Sequence, residues 1–140
     1  VLVVDTSAII ALLRNEPEAR SIAHCLEMSA PEHRFMATPN YVEAGTVLVG
    51  RHPVPEKASE VLDRFLWSAR ISLVAVDEPL AKLALEARIR FGKGFGHPAQ
   101  LNFGDSFAYA LAKHLDAPLL FIGDDFTHTD VRSALPVTSR

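Results

Sequence analysis

Four short, largely apolar runs punctuate the chain: VLVV (1–4), FMAT (35–38), ISLVAV (71–76) and APLLFIG (117–123). Between them, apolar residues recur at helical spacing. Continuous runs of this kind are strands buried on both faces, and such strands belong to parallel sheets covered by helices on either side. The alternation of these runs with helices predicts an α/β chain with a short, mainly parallel central sheet. The helices are expected over 7–15, from Pro17 onward through Leu26, over 38–49, after Pro53 and Pro55 with Ala58, Val61, Leu62, Phe65 and Leu66 on one face, over 78–91, and over 104–115. Thr38-Pro39 is a helix-start signal, because proline fits the first turn where its missing N–H costs nothing.

No internal repeat, low-complexity tract or linker interrupts residues 1–140, so the expectation is a single domain with one continuous fold. Apolar content of 49% and charged content of 22% are those of an ordinary globular protein. No apolar run approaches the roughly 18 residues a membrane helix needs, and no basic segment precedes a hydrophobic core as in a secretion signal. One cysteine, Cys25, cannot form an internal disulfide and is too few for a cysteine-rich zinc site. A reducing, cytoplasmic setting without a membrane partner is expected. The net charge of −3 argues against a nucleic-acid partner overall, but local patches govern binding. KLALEARIRFGKGFGH (82–97) is such a patch, with Lys82, Arg88, Arg90 and Lys93 against Glu86. It reads equally as a solvated helix face and as a contact surface.

In parallel α/β sheets, sites form beyond the carboxyl ends of the strands. Acids stand at several of these places: Asp5 after the first strand, Glu43 early in the helix after the second, Asp105 at the start of DSFAYALAKHL, and Asp124 and Asp125 after the fourth. Each aspartate taken alone is also a good helix start, favourable by about 0.3–1 kcal/mol through the helix dipole. Glu43 sits at the edge of an apolar stripe, and Asp105 shares a face with Ala108, Leu111 and Ala112. Gathered together, the carboxylates would repel one another unless a cation intervened. Hard divalent ions prefer all-oxygen ligands, and the chemistry they support in such a site is phosphodiester hydrolysis.

VLVVDTSAIIALL, TPNYVEAGTVL and LNFGDSFAYALAKHLDAPLLFIGDDFTHTDV, in this order, resemble a PIN-domain toxin of the VapC type over nearly the whole chain. The resemblance implies a PIN-like α/β/α sandwich and a Mg²⁺- or Mn²⁺-dependent endoribonuclease. It further implies inhibition by a small VapB-type antitoxin and assembly as a homodimer, with larger complexes once the antitoxin binds. Carried over residue by residue, the first acid is Asp5, the second Glu43 and the third Asp105. The fourth is Asp124, with Asp125 as the alternative. Ser7 matches a hydroxyl that supports the first acid or a metal-bound water, and a helix cap is its plainer role. Arg14, Arg88, Arg90, Lys93 and His97 are the candidates for holding the RNA backbone. The apolar face of residues 55–69 reads first as core and second as a groove for an antitoxin helix; Trp67 suits that groove or a dimer seam.

Other folds with acids at a first strand end fit less well. A receiver domain wants two adjacent acids where Asp5 and Thr6 stand, and a haloacid-dehalogenase-type phosphatase wants an acid where Ser7 stands. A dinucleotide-binding fold wants a glycine-rich turn after the first strand. The rival of another class is an inactive PIN fold that serves only as an interaction module.

Overall fold

A computed structural model describes residues 1–94, 96 and 98–136. Its elements run β1 (Leu2–Val4), α1 (Thr6–Leu13), α2 (Ala19–Met28), a 3₁₀ turn (Pro31–His33), β2 (Arg34–Ala37), α3 (Thr38–Val49), α4 (Pro55–Ser68), β3 (Ser72–Val74), α5 (Glu78–Phe91), α6 (Phe103–His114) and β4 (Leu119–Leu120). The four strands form one sheet in the order β3-β2-β1-β4, with every pairing parallel. A row across it reads Ser72, Phe35, Val3, Leu119. Strands expected over 71–76 and 117–123 shrink to three and two paired residues. At the β4 edge, the backbone of Leu119 is met by the returning chain, receiving an N–H from Ala134 (2.9 Å) and donating to Arg132 (2.8 Å).

Side chains alternate between two cores, as the pleat of a strand requires. Val3, Ala37 and Leu119 face α5 and α6, where Leu80, Ala84, Phe91, Ala108 and Leu111 are buried. Leu2, Val4, Met36 and Leu120 face the other side, with Ile9, Ile22, Ala44, Leu62 and Leu66 from the first four helices. The result is the α/β/α sandwich expected of the alternating pattern. Of the apolar face on α4, Ala58, Leu62 and Leu66 are core, whereas Val61 (43%) and Trp67 (86%) are exposed. No helix among the described residues is long and apolar enough to cross a membrane.

Three helices end alike, and two of these ends aim the chain into a strand. Asn15, Arg70 and Asp116 adopt φ of 51°, 54° and 48°. In each case the next N–H reaches back to the helix: Glu16 to Ala11 (2.9 Å), Ile71 to Leu66 (2.9 Å) and Ala117 to Ala112 (2.8 Å). This left-handed cap satisfies the last carbonyls and reverses the chain. After α4 it leads to β3, and after α6 to β4.

Candidate active site

Asp5 leaves β1 and caps α1. One carboxylate oxygen, Oδ2, accepts from Ser7 N–H (3.0 Å) and from Ser7 Oγ (2.6 Å). Ser7 Oγ in turn accepts from the N–H of Ile122, just beyond β4 (3.0 Å). The hydroxyl therefore both supports the acid and fastens it to the fourth strand. The other oxygen, Oδ1, is buried with no hydrogen-bond partner among the described residues. A buried carboxylate oxygen without a donor is costly. Burial raises the carboxyl to about 6, against the hydrogen bonds from Ser7, and the charge of Glu43 adds to the rise.

Asp105 is buried at the third position of α6. Its side chain accepts from the N–H of Asn102 (3.0 Å), while Asn102 Oδ1 accepts from the N–H of Asp105 (2.8 Å). This reciprocal pair is a capping box. The sequence placed Asp105 at the helix start; the helix begins two residues earlier, at Phe103, with Asn102 as its cap. Burial pushes the carboxyl up to about 7 against the Asn102 N–H, and Asp5, Asp125 and Glu43 contribute in that order.

Glu43 reaches across from α3 and lies against the first turn of α6. A Cβ on Gly104 would stand 2.7 Å from the Glu43 Cδ and 2.9 Å from Oε1. Only glycine leaves room for the carboxylate there, at a backbone conformation any residue adopts. Asn40, fully buried on α3, fixes the same joint: its Nδ2 donates to the Gly104 carbonyl (2.9 Å), and its own carbonyl accepts from Thr6 Oγ1 (3.1 Å). One buried side chain and its backbone thus tie α1, α3 and α6 together.

Asp124 and Asp125 follow Gly123, whose φ is 95°, and both are exposed. The Asp125 charge is among those that raise Asp105. The Asp124 carbonyl accepts from Thr127 N–H and Oγ1 (3.2 and 2.8 Å) and holds the turn.

The donor set is all oxygen, and the charges that raise Asp5 and Asp105 are the acids themselves. That chemistry fits a hard divalent cation, and the partnerless Asp5 Oδ1 is an oxygen with nothing else to do. Among the described residues, however, no group of three or more His, Cys, Asp or Glu side chains is closed around a point that could take an ion as they stand. The acids share a field without yet forming a cage.

The basic candidates separate. Arg88 donates from Nη1 to the Leu101 carbonyl and so closes the loop between α5 and α6. Arg90 lies 4.6 Å from the centre of the Phe91 ring. Arg14 is half-buried, with Nη2 shielded and unpartnered among the described residues. Lys93 is exposed. His97 lies outside the described residues. Asn40 and Gly104 were not evident from the sequence as site residues. Asn102 could have been found, since a cap residue three positions before an acid is the capping-box signature.

A parallel sheet between two helical layers, with acids gathered beyond its carboxyl edge, defines an acid-centred α/β/α domain. The chain belongs to the PIN-domain family, which matches residues 2–132. It is 47% identical over 133 residues to ribonuclease VapC42 of Mycobacterium tuberculosis, covering 95% of this chain and 98% of that one. In structure it is similar to Mycobacterium tuberculosis VapC20, described as a sarcin-ricin loop cleaving toxin, with a TM-score of 0.77, 17% identity, and coverage of 97% of this chain and 100% of that one. It also resembles a chain of VapBC-1 from nontypeable Haemophilus influenzae (TM-score 0.73, 21% identity, 94% and 95% of the two chains).

Proposed function

We propose that the protein is the toxin of a toxin–antitoxin pair, a divalent-metal-dependent endoribonuclease built as a single PIN domain. The observation that carries this reading is the Asp5 Oδ1 atom, buried without a donor among the described residues, in the field of Glu43 and coupled to the likewise raised Asp105. Ser7 satisfies Oδ2, whereas Oδ1 has only the neighbouring acids' charge for company.

Asp5, Glu43 and Asp105 are the residues that would hold Mg²⁺ or Mn²⁺, with Asp124, or Asp125 as the alternative, as the fourth acid. When bound, such an ion acidifies a water and draws charge off the phosphodiester oxygens. The chain supplies the rest. Ser7 occupies Oδ2 of Asp5 and reserves Oδ1 for the ion. Asn102 fixes the Asp105 carboxylate through its backbone N–H. Gly104 lets Glu43 approach, and Asn40 keeps α3 and α6 in register. Lys93, Arg90 and Arg14 are the cations for the RNA backbone, whereas Arg88 serves the loop. A small VapB-type antitoxin is the partner, a reading supported by the likeness to VapBC-1 and by the close relatives among VapC ribonucleases. Homodimers, larger complexes with antitoxin and a cytoplasmic location belong to the same reading.

Cleavage of a labelled RNA pool by the protein and by Asp105→Asn, with Mg²⁺, Mn²⁺ or EDTA, tests the reading. Metal-dependent cleavage that disappears in the variant supports it. Equal cleavage by both proteins, or none by either together with no stabilisation by metal, overturns it in favour of an interaction module.

A further inference from the structure

A second feature adjoins the acids. A shallow cavity of about 490 Å³ is lined by Pro39, Val42, Glu43, Asn102, Phe103 and Gly104. Glu43 belongs both to this recess and to the acidic centre, so the two are continuous. The rest of the lining is largely apolar, and its two largest apolar side chains are turned to solvent: Phe103 is 71% exposed and Val42 63%. A phenylalanine at the first position of a helix could have been folded under; this ring instead stands nearly perpendicular to Phe107, centroids 4.9 Å apart. It is held but not covered.

Among the described residues no lysine or arginine lines the recess, which leaves a phosphate no cationic side chain among them. A flat, uncharged aromatic group needs none. Asn102 adds a polar handle. Its Oδ1 is engaged by the capping box, which fixes the orientation of the amide, and its Nδ2 donates no hydrogen bond among the described residues. Single-stranded RNA is recognised by splaying bases onto aromatic side chains and reading their edges.

We propose that this recess is a nucleobase subsite: Phe103 stacks a base next to the scissile phosphodiester, between Val42 and Pro39, and the Asn102 amide donates to that base's edge. The inference rests on the ribonuclease reading above and extends it by assigning a specificity element. Selection would come from the base that fits beside Asn102, while cleavage is left to the acids.

The test uses single-stranded RNA 12-mers of mixed sequence with 2-aminopurine at one central position, in Mg²⁺. The background is Asp105→Asn, so that the RNA stays intact. Stacking quenches the probe, and the expected result is saturable quenching that survives Phe103→Trp. Phe103→Leu weakens binding by roughly 5- to 150-fold, the range for losing one base–aromatic stack. In the otherwise native protein, Phe103→Leu lowers cleavage of the RNA pool and Phe103→Trp restores it. Because the ring is exposed, both variants melt within a few degrees of the parent.

Quenching unchanged by Phe103→Leu overturns the subsite, as does cleavage of the pool without any quenching. A Phe103→Leu defect confined to self-association, seen by sedimentation, also overturns it and makes the recess a protein interface. Absence of metal-dependent cleavage by the native chain instead removes the ribonuclease reading, and this inference falls with it.

Discussion

Carboxylates at two places beside α6 meet opposite fates. On one side of the helix, Asp130 takes the Tyr109 hydroxyl as a donor and pairs with Lys113 at 3.3 Å. Burial works to raise its carboxyl, but the Tyr109 and Lys113 hydrogen bonds and the lysine charge hold it below the ordinary value. At the N-terminal end of the same helix, Asp105 and its neighbour Asp5 lie deeper, among acids and with no paired cation among the described residues, and both are raised. The fold supplies a counter-charge to the acid that staples the 124–132 segment down and withholds it from the acids of the site. That difference separates a structural carboxylate from one kept for a ligand.

The largest expected effect is on catalysis. Asp5→Asn or Asp105→Asn should reduce RNA cleavage by more than the roughly 10–100-fold that losing an outer partner of a metal ligand costs, while Asp130→Asn should leave the rate of the folded enzyme near that of the parent. A nuclease assay on the three variants at matched folded concentration decides this; equal losses in all three would erase the distinction.

Next comes Gly104→Ala, which sets a methyl against the Glu43 carboxylate. Its cleavage rate should fall at least ~10-fold with a melting temperature little changed, because the carboxylate can swing outward. Ser7→Ala should cost a similar ~10–100-fold and should also loosen the joint to Ile122. Its readout is hydrogen exchange at the Ile122 amide.

Stability should separate the groups by sign. A raised folded-state pKa means stability that is complete below the unfolded carboxyl value and lost as pH rises through about 6 to 7. For metal-free protein, Asp105→Asn should therefore raise the melting temperature relative to the parent, and the gap should widen from pH 5 to pH 8. Mg²⁺ or Mn²⁺ should reverse it by stabilising only the parent, with affinity weakening at lower pH as protons compete. The Asp130 carboxyl is shifted the other way, so Asp130→Asn should destabilise, by about 0.5–1 kcal/mol, most visibly above the ordinary carboxylate range. Scanning calorimetry across pH with EDTA gives both signs at once.

The smallest effect sharpens the choice between neighbours. Asp125→Asn should reduce metal stabilisation measurably and Asp124→Asn hardly at all. The reverse order would assign the fourth place to Asp124.

The alternating apolar runs made the layer order legible, because a strand buried on both faces admits few architectures. The helices were legible from their spacing and proline starts. Less was visible wherever meaning depends on contact across the chain. Asn40 read as part of a helix start, since nothing in TPNYVE marks it as fully buried between α3 and α6. Gly104 is invisible without Glu43 above it. Arg88 carries the charge of an RNA contact and spends it on the Leu101 carbonyl. The two adjacent acids of GDDF differ only in where the turn after Gly123 sends each side chain, which no spacing rule decides.

The pairing of the first strand with the last has a consequence for synthesis. Asp5 leaves the ribosome long before Leu120, yet its N–H bonds to Leu120 (3.0 Å) and its serine clasp waits for Ile122. Domains form as their chains emerge from the N-terminus, and contacts this distant in sequence close late. The acidic centre is thus completed only once the segment through Ile122 has been made, so a nascent copy that has not reached it lacks the finished clasp on Asp5.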